Sequence, residues 1–144
     1  MFDRYNEKAR KTIFYARMEA GDCGAASIAT EHLLLGMLRA DTVLANTLLK
    51  PDERIEDLRG QIHALAGAGE ALATSVEMQL SDEGERALSV ALDEADRHGH
   101  SAIGTEHLLL GLMQQEGSRA AVLLTERGMT LEQAREFVSA LPAG

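Results

Sequence analysis

Tryptophan is missing from this chain, and only 3% of its 144 residues are aromatic. A core without large rings has to be filled by Leu, Ala, Ile, Val and Met, a mixture that favours helices over sheets. Strand signals are missing as well: there is no alternating β-branched run and no Asn-Gly hairpin turn. Cysteine occurs once, at Cys23, which excludes an internal disulfide and suits a reducing cytosol. No basic start leads into an apolar run, so no signal peptide is expected. No apolar stretch approaches the length needed to span a bilayer. The expected location is the cytoplasm, with no membrane contact. Basic residues are outnumbered, 14 Lys and Arg against 23 Asp and Glu, for a formal charge of −9. General nucleic-acid binding needs a basic face and is not expected here.

Catalytic signatures are equally scarce. No Gly-x-x-x-x-Gly-Lys-Ser/Thr loop is present, so no phosphate cradle of that kind can form. Cys23 stands among small residues, and no Ser/His/Asp or Cys/His arrangement has support. His98 and His100 form His-x-His, but a zinc site needs about four convergent ligands, and no such set assembles. The expectation is a protein without catalytic residues, cofactor or metal.

What the chain does have is a repeat. Thr30-Glu31-His32-Leu33-Leu34-Leu35-Gly36 returns unchanged as Thr105-Glu106-His107-Leu108-Leu109-Leu110-Gly111, an offset of 75 residues. Such self-similarity marks one structural unit written twice. At the same offset Ala16 matches Ala91, Glu19 matches Glu94, Gly24 matches Gly99, Ile28 matches Ile103 and Leu48 matches Leu123. After one extra residue in the second copy, Ile55, Leu58, Ile62 and Leu65 match Leu131, Ala134, Val138 and Leu141. Apolar positions shared at matching phase imply a shared core.

Helical spacing and cap residues predict a first helix from Asn6 to Ala20, stopped by Gly21 and Gly24. Thr30 is expected to cap a buried central helix running to Arg39. Val43 to Leu49 forms a third helix, and Pro51 stands near the start of a fourth ending about Leu65. The second copy begins with Ser81 as a cap, and further helices follow near Thr105–Gln114, Ser118–Glu126 and Thr130–Leu141. The fold class is therefore all-α: eight helices in a pseudo-twofold tandem of four-helix repeats. The single domain at 1–144 divides into a first repeat at 1–66, a linker at 67–79 and a second repeat at 80–144. Gly36 and Gly111 each cost a helix roughly 1 kcal/mol against Ala. A cost repeated at both copies points to close helix–helix approach.

Met1-Phe2-Asp3-Arg4-Tyr5, Ala9-Arg10 and the stretch Ile103 to Gly111 resemble the Clp repeat domain. This is the N-terminal domain of Clp unfoldases, closest to the ClpC type, and the resemblance covers essentially the whole chain. It implies a domain that receives substrates or adaptor proteins for an ATP-dependent Clp unfoldase or protease and does no chemistry itself. Two settings fit, a stand-alone accessory or decoy beside the ATPase ring, or the docking head of a longer ATPase. The rival reading is a small helical enzyme that binds a metal or ligand.

Two groups of residues are candidates for partner contact. Glu31 and Glu106 fall in first helical turns, where a carboxylate compensates the helix dipole at about 0.3–1 kcal/mol. The resemblance adds a second role: in some ClpC domains the matching glutamates hold the guanidinium of phosphorylated arginine, a degradation tag. Phe2, Tyr5 and Leu80 either cap the core at the repeat junction or form an apolar surface for a partner. In the family the position of Tyr5 is often Phe and an aromatic lies near Leu80. Asp82 and Glu83 stand where the family often has Pro and a basic residue. His32 and His107 are expected to face the interior of their own repeats or to cap a neighbouring element.

Overall fold

The computed structural model describes residues 2–66 and 77–142 and shows eight helices with no strand among them. In chain order they are α1 (Glu7–Asp22), α2 (Thr30–Ala40), α3 (Thr42–Leu48) and α4 (Ile55–Ala66). The second set comprises α5 (Asp82–Arg97), α6 (Thr105–Met113), α7 (Arg119–Glu126) and α8 (Leu131–Ser139). Most of the expected linker, 67–76, lies outside the described residues.

Caps set the helix starts. Asn6 accepts from the Ala9 N–H at 3.0 Å, Ser81 from Gly84 at 3.0 Å, and Ser118 from Ala121 at 3.2 Å. Each satisfies an N–H that the helix leaves without a partner. Gly24 and Gly99 open the loops after α1 and α5 with φ of 68° and 70°, a left-handed turn that residues with a Cβ resist.

The two repeats are joined by an exchange of short extended arms. In one, the Asn6 N–H donates to the Ile103 carbonyl at 2.9 Å and the Ile103 N–H to the Arg4 carbonyl at 2.8 Å. In the other, Ser81 donates to Ile28 at 2.8 Å and Ile28 to Gln79 at 2.9 Å. Arg4, Asn6 and Ile103 thus correspond to Gln79, Ser81 and Ile28, at the offset of 75 already present in the sequence. The contacts obey a pseudo-twofold relationship, and each repeat completes the other.

Helices α2 and α6 run through the centre. Nine of the eleven residues of α2 are buried, from Thr30 to Leu38. The glycines explain how α1 and α5 come so close. A Cβ on Gly36 would sit 2.3 Å from the Thr12 carbonyl oxygen, and one on Gly111 would sit 2.1 Å from that of Ala87. No side chain fits either contact. Met37, Met113 and Met129 fill gaps in the core.

Several expected details differ. Pro51 lies in a turn before α4, next to Asp52 at a positive φ of 64°, and the helix begins at Ile55. Helix α8 ends at Ser139 rather than Leu141. Of the stripe on α4, Leu58 and Ile62 are buried but Leu65 is exposed. On α8, Ala134 and Val138 are buried and Leu131 is exposed. These helices lie on the outside, and only their middle turns reach the core.

Candidate partner-binding site

The repeated Thr-Glu-His block places three side chains at each central helix start, and their roles differ from the expected ones. Thr30 and Thr105 are not the caps: Ala29 and Gly104 hold the cap positions and have no side-chain acceptor. The histidines serve instead. His32 Nδ1 accepts the Ala29 N–H and His107 Nδ1 the Gly104 N–H, both at 2.9 Å. This is the return half of a capping box, made by imidazole where Glu or Gln usually stands.

Because Nδ1 accepts a backbone N–H, the proton of each neutral ring sits on Nε2. His107 Nε2 then donates to His100 Nδ1 at 2.9 Å. His32 Nε2 faces the Cys23 sulfur at 3.6 Å. Burial lowers the pKa of both histidines, that of His107 to about 4 with further help from nearby His100 and His98. Burial also raises the Cys23 thiol. Neutral imidazole beside a protonated thiol is a packing arrangement, not an activated nucleophile.

The threonines tie each central helix to the other repeat. Thr105 Oγ1 donates to Asp41 Oδ2, the α3 cap, at 2.7 Å, and the Ala120 N–H at the start of α7 donates to Thr30 Oγ1 at 3.4 Å. The start of α2 therefore meets the start of α7, and the start of α6 meets the start of α3.

The two glutamates sit at these junctions in unequal surroundings. Glu31 is nearly buried, and its Oε2 lies 3.0 Å from Arg119 Nη1 on α7. Glu106 is half-buried. Its hydrogen-bond contact is the Thr105 hydroxyl at 3.5 Å, whose proton already serves Asp41. Among the described residues no Lys or Arg comes within ion-pair distance of Glu106. Beside it opens a groove of about 390 Å³ lined by Lys8, Asp41, Val43, Leu44, Phe137 and Leu141.

The apolar candidates divide between the two arms. Phe2 and Tyr5 stack at a tilt, ring centroids 4.9 Å apart. They line a groove of about 340 Å³ with Leu88, Leu92 and Ile103. Tyr5 is 6% exposed, and burial pushes its phenol up to about 12. Phe2 is only partly covered and Leu92 is exposed. Leu80 holds the place of Tyr5 in the other repeat and pairs with Ile28. The structure thus brings Phe2 and Tyr5 together and sets Leu80 at the pseudo-symmetric position.

Sequence reasoning passed over the burial of two matching carboxylates, Glu19 and Glu94. Glu19 is 1% exposed and accepts two hydrogen bonds from Arg59, at 2.8 and 2.9 Å, and one from Arg39 at 2.9 Å. Burial alone would raise its pKa, but the hydrogen bonds and charges of Arg59 and Arg39 outweigh it and hold the carboxyl below its usual range. The available signal was the match of Glu19 to Glu94 among otherwise apolar repeat positions. No group of three or more His, Cys, Asp or Glu among the described residues is placed to hold a metal ion.

Eight helices in two arm-exchanged repeats, with a docking-sized groove and no assembled metal cluster among the described residues, define a helical tandem-repeat domain. The chain belongs to the Clp repeat (R) N-terminal domain family, whose model matches residues 4–127 and 79–142. It is 33% identical over 139 residues to the negative regulator of genetic competence ClpC/MecB of Bacillus subtilis. It is 36% identical over 139 residues to a ClpA homolog, an ATP-dependent Clp protease ATP-binding subunit of Guillardia theta. Each match covers 96% of this chain but 17% of the relative's length. The fold resembles the ClpD N-terminal domain of Arabidopsis thaliana, with TM-score 0.73, 20% identity and 96% and 94% of the two chains covered. It also resembles the Hsp104 N-terminal domain of Candida albicans, with TM-score 0.71, 18% identity and 96% and 91% covered.

Proposed function

We propose that this chain is a non-catalytic recognition domain that receives protein substrates or adaptors for an ATP-dependent Clp unfoldase or protease. The observation that carries the reading is family membership over the whole chain together with an apolar groove at the repeat junction. Partly exposed Phe2 and Leu92, beside buried Tyr5 and Leu88, line a cavity of about 340 Å³, a fitting receptor for an apolar anchor. Leu80 marks the equivalent contact on the other repeat. Glu31 and Glu106 are the second candidate contact, for cationic or phosphoarginine-tagged partners. The same domain serves either setting, as the head of a longer ATPase or as a free accessory or decoy.

The test is titration of the intact chain with an unfolded client, a Clp adaptor and a phosphoarginine peptide. Phe2→Ala and Glu31→Ala/Glu106→Ala are compared with the unaltered protein at low and high salt. Binding through the groove should weaken in Phe2→Ala and change little with salt. Binding through the carboxylates should weaken as salt rises, since exposed charges are screened over about 8–10 Å at physiological ionic strength. If no ligand binds, or neither variant alters binding, the proposal fails.

A further inference from the structure

Helices α1 and α5 are repeat equivalents, yet their outer faces carry opposite charge. Lys8 and Arg10 on α1 correspond to Glu83 and Glu85 on α5, and all four are exposed. Phe14, the next exposed position on α1, corresponds to Ser89. The ring of Phe14 stands out from the surface at 62% exposure. Arg10 and Lys11 precede it by one helical turn, and Arg17 follows it by one. Ser89 is exposed, small, and lines the groove of about 340 Å³ that also holds Phe2 and Leu92. Glu85 precedes Ser89 by one turn, and Asp93 follows it by one, both exposed. One repeat presents an aromatic knob among cations, and the other presents a groove among carboxylates.

The counter-charges within each face leave this contrast standing. On α1, Lys8 lies 3.8 Å from Asp41 and Lys11 lies 3.1 Å from Glu7, but both lysines stay more than half exposed, and ion pairs in water are worth little. Beside the groove, Arg4 is taken up by Asp96 at 2.8 Å and by the carbonyls of Ser101 and His100. Arg97 lies against Glu94. That leaves Arg86 on α5 against Asp82, Glu83, Glu85 and Asp93.

We infer that the chain binds a second copy of itself head to tail: Phe14 of one copy enters the Phe2–Leu92 groove of the next, and the cations around it meet Glu85 and Asp93. Shape and charge together carry the choice of occupant. An acidic partner on α1 would leave the groove empty, and a basic partner in the groove would leave Phe14 bare, whereas a second copy covers both. Cations flank the ring on both sides and carboxylates flank the groove on both sides, so the charges match whether the two helices run parallel or antiparallel. Knob and groove lie on different repeats, so the contact is heterologous, and the assembly grows until it closes on itself. The inference goes beyond the recognition role proposed above but shares its groove: a client that uses Phe2 has to displace the neighbouring copy.

The experiment follows the intact chain by sedimentation velocity over a range of protein concentrations, at low and at high salt. The average mass should rise with concentration at low salt and return toward that of one chain at high salt. Phe14→Ala should weaken association about tenfold or more, as loss of an aromatic anchor does. Glu85→Lys/Asp93→Lys should weaken it from the other side. All three positions are exposed, so both variants should fold, which circular dichroism checks. The Phe14→Ala chain keeps its groove, and the Glu85→Lys/Asp93→Lys chain keeps its knob. Mixed, they should form a one-to-one pair that grows no further, a result that a contact between identical surfaces does not give. A single-chain mass at every concentration in low salt overturns the inference. So does Phe14→Ala associating like the unaltered protein, or a mixture of the two variants that does not pair. An unfolded client that binds through Phe2 while the chain stays single sinks this inference and spares the recognition role. Self-association as expected, with no client or adaptor bound by the open groove of Phe14→Ala, does the reverse.

Discussion

Arg119 closes on Glu31 across the repeat junction at 3.0 Å, while its counterpart, Leu44, has no charge to offer Glu106. The duplication is thus faithful in its framework and divergent at its surface. The arms, the glycine contacts and the capping histidines recur at both copies. The charged neighbours do not: Arg39 becomes Gln114, Cys23 becomes His98, and Asp41 as a cap gives way to Ser118. Packing and backbone satisfaction constrain the first group at every position. In the second group Arg39, Gln114, Cys23 and His98 are partly exposed, where solvent can complete what the chain does not, while the caps Asp41 and Ser118 are buried and exchange one acceptor of a backbone N–H for another.

Gly36→Ala and Gly111→Ala should each destabilise the fold, although Ala is the better helix former by roughly 1 kcal/mol. The added methyl meets backbone oxygen of Thr12 or Ala87 at 2.3 or 2.1 Å, and backbone cannot swing aside as a side-chain tip can. Overpacking of this kind costs about 1–3 kcal/mol, so the net change is a loss at both sites. Urea denaturation measures it. A gain in the midpoint for either variant contradicts the close approach.

Much of the fold was legible: the central helices and the glycine contacts follow from the repeated apolar phase, and Asn6 and Ser81 were readable as caps from their residue type. The capping at Thr30 and Thr105 was not. Threonine before an apolar run normally signals a cap, but here the acceptor two residues later, His32 or His107, takes the backbone N–H. The arm exchange was also hidden, since a one-residue extended pairing leaves no periodicity to read. At the candidate site, Glu31 and Glu106 were legible as a pair. Their inequality was not, because it depends on Arg119 and Leu44, distant in sequence and unremarkable alone.

Glu19→Gln should cost far more stability than Glu94→Gln, although the two positions are repeat equivalents. Glu19 neutralises Arg39 and Arg59, whose side chains are 27% and 29% exposed. Its loss leaves two guanidinium groups facing each other in a mostly dry site. Removing one partner of a buried ion pair costs about 3–5 kcal/mol, and the partial exposure of the arginines places this case at the low end. Glu94 is buried too, but its contacts are Arg97, which is 70% exposed and is left in water, the neutral amide of Gln114 at 3.3 Å and His98 at 4.0 Å. A loss on the order of 1 kcal/mol is expected there. Equal losses in chemical denaturation would show that the arginines contribute nothing beyond burial of the carboxylate.

Acid should weaken the protein in two stages, and the first belongs to the buried histidines. His107 has a folded pKa of about 4, below its ordinary 6.5. Burial is the main cause; His100, His98 and Arg4 add to it, and Glu94 opposes it. Between those values the unfolded chain binds the proton and the folded chain does not. Stability from this group is therefore complete above pH 6.5 and falls as pH drops toward 4, by on the order of a few kcal/mol. His32, shifted in the same direction by burial, loses stability in the same direction as pH falls below 6.5. The second stage is carried by Glu19 and Glu53, whose folded pKa values lie below their ordinary 4.5. For Glu53 the hydrogen bond from Arg127 is the main cause. Their contribution is present above pH 4.5 and lost as pH falls through the folded values. His107→Gln separates the stages. Glutamine at the third helical position can still accept the Gly104 N–H, as in an ordinary capping box, but it does not titrate. Urea midpoints measured from pH 7.5 to 4.5 should therefore fall less steeply in His107→Gln than in the unaltered protein, and His32→Gln/His107→Gln should flatten the curve further. Parallel curves for all three proteins would show that the acid response above pH 4.5 comes from groups other than these two imidazoles.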